Sequence, residues 1–264
     1  MMASIRRCLP LLLVPLSLLA HAAEWKHSEK IDALFAGEGV TGTFIVHDVA
    51  ADVYTVHDRQ RASVRFSPAS TFKIPNSLIG LDTGVVATVD TVLPYGGGTT
   101  RQPEWAHDMS LRDAIKISNV PLYQAMARRI GIERMRQSMR KFDYGNGDIG
   151  TQVDDFWLTG PLQISALEQT DFLRRLAQDQ LPFSKAAMAA VREITRQEGA
   201  ADLHAKTGWG NGPRKDVDIG WWVGWIVKDG TLFTFALNID IADNATGAKR
   251  VPLGKAALQA LGLL

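Results

Sequence analysis

From residue 28 the chain reads "SEKIDALFAGEG", with apolar positions at Ile31, Leu34 and Phe35 on one helical face, Ser28 at an N-cap position and a stop at Gly37. The period then changes. "TGTFIVHDV" and "VYTVHD" are β-branched and aromatic runs joined through Ala50, Ala51 and Asp52, which predicts a β-hairpin. From about residue 70 to 196 the pattern is mostly helical: "SLRDAIKISN" carries a capping box at Ser110 and Asp113, and "VPLYQAMARRIG" stops at Gly131. Three strand-like runs follow, "ADLHAKTG", "IGWWVGWIV" and "TLFTFALNID". The last two are linked by the turn Lys228-Asp229-Gly230, and "VPLGKAALQALG" reads as a closing helix. Strands at both ends with helices between predict an α+β fold. An antiparallel sheet built from both ends of the chain is flanked by helices and carries an inserted, mostly helical lobe.

The first residues differ in kind. Arg6 and Arg7 precede the apolar run "CLPLLLVPLSLLA", and Ala20-His21-Ala22 forms an A-x-A site, the layout of a secretory signal peptide over residues 1–22. The run is shorter than the ~20 residues of a spanning helix, so cleavage after Ala22 is expected to leave no membrane anchor. Residues 23–264 then form one domain. Cys8, the one cysteine in the sequence, lies in the removed segment, so the mature chain has neither thiol nor disulfide. Without Arg6 and Arg7 the basic count falls from 29 to 27 against 28 acidic residues, a formal charge of −1. Nothing in that balance attracts nucleic acid or an anionic membrane.

Several chemistries drop out on spacing. His27, His47, His57, His107 and His204 show no metal-ligand spacing, so no metal is expected. Gly96 to Gly98 precede no Lys-Ser or Lys-Thr and read as a turn, and the absence of G-x-S-x-G argues against an ordinary α/β-hydrolase. "FSPASTFKIPNS" is more informative. Residues three apart share a helix face, so Lys73 reaches the hydroxyl of Ser70, and the surrounding Phe66, Phe72 and Ile74 are the apolar company that lowers a lysine's pKa. A serine becomes a nucleophile only when a base takes its proton. A second S-x-x-K, Ser138 to Lys141, lies among Arg134, Arg136 and Arg140 and reads as a solvated helix surface. Pro75 is expected to bend the first turns of the helix after Ser70. Lys206-Thr207-Gly208 ends a predicted strand, displaying a cation and a hydroxyl before a glycine that admits substrate to the backbone. Ser118-Asn119-Val120 follows a helix and precedes Pro121, which places its serine on a loop.

Taken together, Ser70-Thr71-Phe72-Lys73, Ser118-Asn119-Val120, Tyr144-Gly145-Asn146, "FWL" at 156–158 and Lys206-Thr207-Gly208 resemble a class D β-lactamase across the mature chain. The resemblance implies an acyl-enzyme on Ser70, and a Lys73 that captures carbon dioxide, or bicarbonate as its source, to become a carbamate general base. It implies Trp157 as the indole donor to that carbamate and Val120 as the apolar residue keeping it dry. Ser118 and Lys206 would relay a proton to the leaving nitrogen, and the backbone N–H groups of Ser70 and Trp209 would hold the oxyanion beside Gly208. Thr207 and Arg250 would bind the substrate carboxylate, with Lys249 or Arg214 as alternatives to Arg250. Tyr144 to Asn146 is either a turn or a catalytic element, whereas Trp221, Trp222 and Trp225 pack the sheet. "WGNGPRKDVD" is expected to line the site. The partner implied is a small β-lactam substrate, the location the periplasm, the assembly a monomer or homodimer. A penicillin-binding D,D-peptidase and a non-catalytic β-lactam sensor are the rival readings.

Overall fold

The computed structural model describes residues 23–199 and 201–264. Residues 1–22, read above as a signal peptide, lie outside them. In chain order, β1 (Glu24–His27), α1 (Glu29–Glu38), β2 (Gly42–Asp48), β3 (Val53–His57) and the single turn α2 (Arg59–Ala62) come first. A 3-10 turn at Ala69–Phe72 runs into α3 (Lys73–Asp82). The helical lobe continues with β4 (Val92–Leu93), β5 (Met109–Ser110), α4 (Leu111–Lys116), α5 (Val120–Ile130), α6 (Ile132–Met139), α7 (Ala166–Ala177) and α8 (Lys185–Thr195). The chain closes with β6 (Asp202–Arg214), β7 (Val217–Lys228), β8 (Thr231–Ile241), α9 (Asn244–Ala248) and α10 (Arg250–Ala260).

The main sheet has the order β1-β3-β2-β8-β7-β6, and β2 pairs with β8 from Gly42↔Ile239 to Asp48↔Phe233. The two ends of the chain therefore share one ladder, as the sequence predicts. One feature departs from the expectation of an antiparallel sheet: β1 runs parallel to β3 at the edge, from Glu24↔Val53 to His27↔Val56. The four residues "EWKH" carry too little pattern to announce a strand, and the ladder to β3 forms it.

Both faces of the sheet are covered, which is why "IGWWVGWIV" is apolar throughout rather than alternating. Trp221, Val223 and Trp225 face the core shared with the helical lobe, whereas Trp222 and Ile226 face the core under α1 and α10. Gly254 of α10 admits the Trp222 ring, since a Cβ there would stand 2.2 Å from it. The three tryptophans thus pack the sheet as expected. Helix α1 differs slightly from its prediction. It passes through Gly37 and ends at Gly39 in the left-handed region, and Ser28 makes no side-chain cap bond.

Caps place the two connections that matter most for the site. Ser110 Oγ accepts the Asp113 N–H at 3.2 Å and starts α4, and Asn119 Oδ1 accepts the Leu122 N–H at 3.0 Å and starts α5. Ser118 falls in the short link between these helices, with φ 59.

Candidate active site

The turn that carries Ser70 is held from three sides. Phe66 exchanges two backbone hydrogen bonds with Ile164, at 3.0 and 2.8 Å, and Thr71 Oγ1 donates to the Pro68 carbonyl at 2.7 Å. From α7, Gln169 Nε2 donates to Thr71 Oγ1 at 2.8 Å. Ala69 is left-handed, φ 48, so both serines of the site sit at or beside a strained non-glycine backbone. Ser70 lies in the 3-10 segment and Lys73 is the first α-helical residue, rather than both lying on one α-helix as the spacing predicts. Lys73 Nζ nevertheless donates to Ser70 Oγ at 2.8 Å. Pro75 occupies the first turn of α3, where its missing N–H breaks no intrahelical bond.

Lys73 is 0% exposed. Its amine stands 5.3 Å from the Tyr123 ring centre, and its one hydrogen bond among the described residues is to Ser70 Oγ. With no carboxylate to offset burial, its pKa lies well below the usual lysine value, first through desolvation and then through the charge of Lys206. Trp157 is also fully buried, its ring stacked on Phe72 at 5.4 Å and 23°. Its Nε1–H has no partner among the described residues. An indole can only donate, so this orphan suits an anion. A neutral amine is the form that attacks carbon dioxide. The dry Lys73 and the unspent donor of Trp157 therefore fit a carbamate at this position.

A second pair faces the first. Lys206 Nζ donates to Ser118 Oγ at 3.1 Å and to the Thr207 carbonyl at 3.1 Å. Lys206 is 6% exposed, and burial, followed by the charge of Arg250, lowers its pKa to about 7. The glycine of Lys206-Thr207-Gly208 lines the cleft and also meets a packing demand that its spacing does not announce. A Cβ at Gly208 would meet the Pro68 carbonyl, Thr71 and Trp221, each at 3.1 Å, and one at Gly210 would stand 2.8 Å from Ala69 Cβ. These glycines let β6 pack against the nucleophile turn.

Arg250, at the start of α10, donates through Nε to the Gly247 carbonyl at 2.7 Å and through its guanidinium to the Gly208 carbonyl. The guanidinium lies 4.9 Å from the Trp209 ring centre, and Trp209 Nε1 donates to Asp218 at 2.7 Å. The alternatives point elsewhere: Lys249 pairs with Glu38 at 3.3 Å and Arg214 with Asp240 at 3.0 Å.

These groups border a cleft of about 860 Å³, lined by Ser70, Ser118, Val120, Thr207, Gly208, Trp209 and Arg250. Lys73 and Trp157 are buried out of contact with it, and Lys206 lines a neighbouring cleft, meeting this one through Ser118 and Thr207. Trp209, Gly210, Asn211 and Asp218 of "WGNGPRKDVD" also line it, though the segment is largely strand, with β6 reaching Arg214. Sequence reasoning missed Leu158 and Trp105 on the wall. Leu158 stood in view in "FWL". Trp105 had no periodic signal, and is fixed by its indole donating to the Ile117 carbonyl at 3.2 Å and its carbonyl accepting from Asn119 at 3.3 Å.

Tyr144 packs beneath the turn among Phe72, Phe142 and Phe172, and does not line the cleft. Gly145 has φ +57, with the Gln163 carbonyl 1.9 Å from where a Cβ would stand, and Asn146 bonds to Pro161 and Gln163 at 2.8 and 3.0 Å. The triplet is a turn that supports the chain leaving Trp157. In the second S-x-x-K, Ser138 is buried but Lys141 is exposed. Among the described residues no group of three His, Cys, Asp or Glu is arranged to hold a metal.

The fold and the paired Ser–Lys contacts define a penicillin-recognising serine enzyme, and residues 42–259 match the model of the penicillin binding protein transpeptidase domain. Among curated relatives, β-lactamase OXA-10 of Pseudomonas aeruginosa is 40% identical over 224 residues, covering 84% of this chain and 83% of the relative. OXA-48 of Klebsiella pneumoniae is 40% identical, covering 84% of each. The crystal structure of FUS-1 (OXA-85), a class D β-lactamase from Fusobacterium nucleatum subsp. polymorphum, superposes with a TM-score of 0.87 at 40% identity, over 90% of this chain and 100% of that one. The chain belongs to the class D β-lactamases. Its function is that of a serine hydrolase acting on cyclic amides, which sets aside the peptidase and sensor readings.

Proposed function

We propose that this hydrolase opens the lactam ring of penicillins and related antibiotics through an acyl-enzyme on Ser70, with Lys73 working as its carbamate. The observation that carries this reading is the 2.8 Å contact to Ser70 Oγ from a fully buried Lys73 amine that has no carboxylate partner among the described residues. The neutral amine adds to the carbon of carbon dioxide and releases one proton. When present, the resulting carboxylate supplies a general base in both halves of the reaction. Trp157 Nε1–H is the donor that holds it, and Val120 limits water around it.

Ser70 Oγ, relieved of its proton, adds to the lactam carbonyl, while the N–H groups of Ser70 and Trp209 receive the developing oxyanion. As the carbonyl carbon–nitrogen bond breaks, Ser118 gives its hydroxyl proton to the departing nitrogen, and Lys206 replaces it through the 3.1 Å contact. A pKa near 7 suits Lys206 to this exchange at neutral pH. Thr207 Oγ1 and the Arg250 guanidinium take the substrate carboxylate. Water then attacks the ester, and Ser70 recovers its proton.

We also read residues 1–22 as a cleaved signal and residues 23–264 as the mature periplasmic domain. Among the described residues no helix is long and apolar enough to cross a membrane. The test is turnover of a chromogenic cephalosporin by the purified protein. Many product molecules per enzyme, unaffected by chelator, support the reading. One stoichiometric burst without turnover contradicts it.

A further inference from the structure

Ser67 has no part in the steps above, yet three parts of the site meet at it. Its hydroxyl lies 3.1 Å from the Trp157 carbonyl and 3.2 Å from that of Leu158. Its own carbonyl accepts the Trp221 indole N–H at 2.8 Å, and Trp221 is 0% exposed in the middle of β7. Ser67 is therefore anchored to the sheet on one side, continues on another into the turn bearing Ser70, and reaches across with its hydroxyl to the loop bearing Trp157.

That loop is tied at its flanks, Gln124 Nε2 donating to the Asp154 carbonyl at 3.0 Å and Asn146 Nδ2 to the Pro161 carbonyl at 2.8 Å, and at its centre, among the described residues, Ser67 supplies the side-chain bonds. The Leu158 N–H returns to the Asp155 carbonyl at 2.9 Å, and the Leu162 N–H to the Phe156 carbonyl at 3.2 Å. Phe72, stacked on the Trp157 ring, and Phe156, edge-on to it at 5.0 Å and 86°, pack the indole, but neither offers its N–H a hydrogen-bond acceptor. The Ser67 hydroxyl adds a directional bond to the backbone that carries the indole.

We propose that Ser67 is a positioning residue: its hydroxyl clamps the Trp157–Leu158 peptide to the nucleophile turn and so sets the affinity of Lys73 for carbon dioxide. The inference rests on the carbamate reading above. It predicts a change in how readily Lys73 is modified, with little change in the chemistry of enzyme that is already modified.

The test follows the carbamate carbon by NMR as ¹³C-bicarbonate is titrated into the full mature chain, with thermal melting recorded alongside. Ser67→Ala should need about fivefold more bicarbonate for half-modification, the weight of one neutral hydrogen bond. Ser67→Thr, which keeps the hydroxyl, should titrate like the parent. In a Trp157→Phe background, which lacks the indole donor, Ser67→Ala should add no further shift, an outcome that a general loss of packing does not give. A Ser67→Ala curve that overlays the parent overturns the proposal, as does an equal shift for Ser67→Ala and Ser67→Thr. Absence of any carbamate signal in the parent overturns the carbamate reading and this inference with it. A parent signal with no Ser67 effect removes this inference alone. Should Ser67→Ala fail to fold, the Ser67→Thr curve decides: a fivefold shift with the hydroxyl retained overturns the proposal, and coincidence with the parent supports it.

Discussion

Two lysines in this protein each donate to a serine, Lys73 to Ser70 at 2.8 Å and Lys206 to Ser118 at 3.1 Å, and they do so in different surroundings. Lys73 has no other hydrogen-bond partner among the described residues, whereas Lys206 also reaches the Thr207 carbonyl and borders Arg250. Burial takes the first amine well below the usual lysine range and leaves the second near 7. The same pair of residue types thus supplies two functions. A dry amine whose one partner is a serine hydroxyl is a reactive nucleophile open to modification, and an amine with further partners that titrates near neutrality suits the passing of protons.

Removing either serine tests that division. Ser70→Ala should cost about 10⁴-fold or more in kcat, since no acyl-enzyme can form. Ser118→Ala should cost about 10²- to 10³-fold, mostly in acylation, because a relay is lost while the nucleophile and base survive. Single-turnover kinetics separate the two, and equal losses would erase the distinction. Arg250→Ala should raise KM about 10- to 100-fold with a smaller change in kcat, as expected for a charge-assisted contact to the substrate carboxylate.

The lysines also carry a stability signature. Each binds fewer protons folded than unfolded at neutral pH, so their contribution to stability rises with pH from the folded values, about 7 for Lys206, toward the unfolded 10.5. Lys73→Met should abolish turnover yet raise the melting midpoint by about 5 °C at pH 7 in bicarbonate-free buffer, and should flatten this pH slope. A lowered midpoint would mean that the buried amine is not under strain. Smallest in effect, Tyr144→Phe should leave kcat within about twofold, because its ring packs the core away from the cleft.

Much of this was legible before the structure. The Ser70–Lys73 pair is local, three residues apart in an apolar stretch, and the contrast with Ser138 and Lys141 follows from the arginines around the latter. The sheet's outer hairpins and most helices declared themselves by period and caps. The Ser118–Lys206 contact spans 88 residues, and only its motifs, not its geometry, could be read. β1 escaped notice because four residues show no period, and the 3-10 start of the Ser70 turn because it shares the spacing of an α-helix. The packing role of Gly208 could not be read because the need for a missing Cβ arises from the turn packed against it. Arg250 became distinct from Lys249 and Arg214 only once their ion pairs were visible.

The most direct test is the charge state of Lys73 itself, followed by ¹⁵N NMR on lysine-labelled enzyme at neutral pH with bicarbonate present and turnover measured on the same sample. The account predicts an unprotonated nitrogen, amine or carbamate, that becomes an ammonium on acidification as activity falls and reverses when neutral pH and bicarbonate are restored. An ammonium signal from Lys73 in enzyme turning over at its full rate would contradict it.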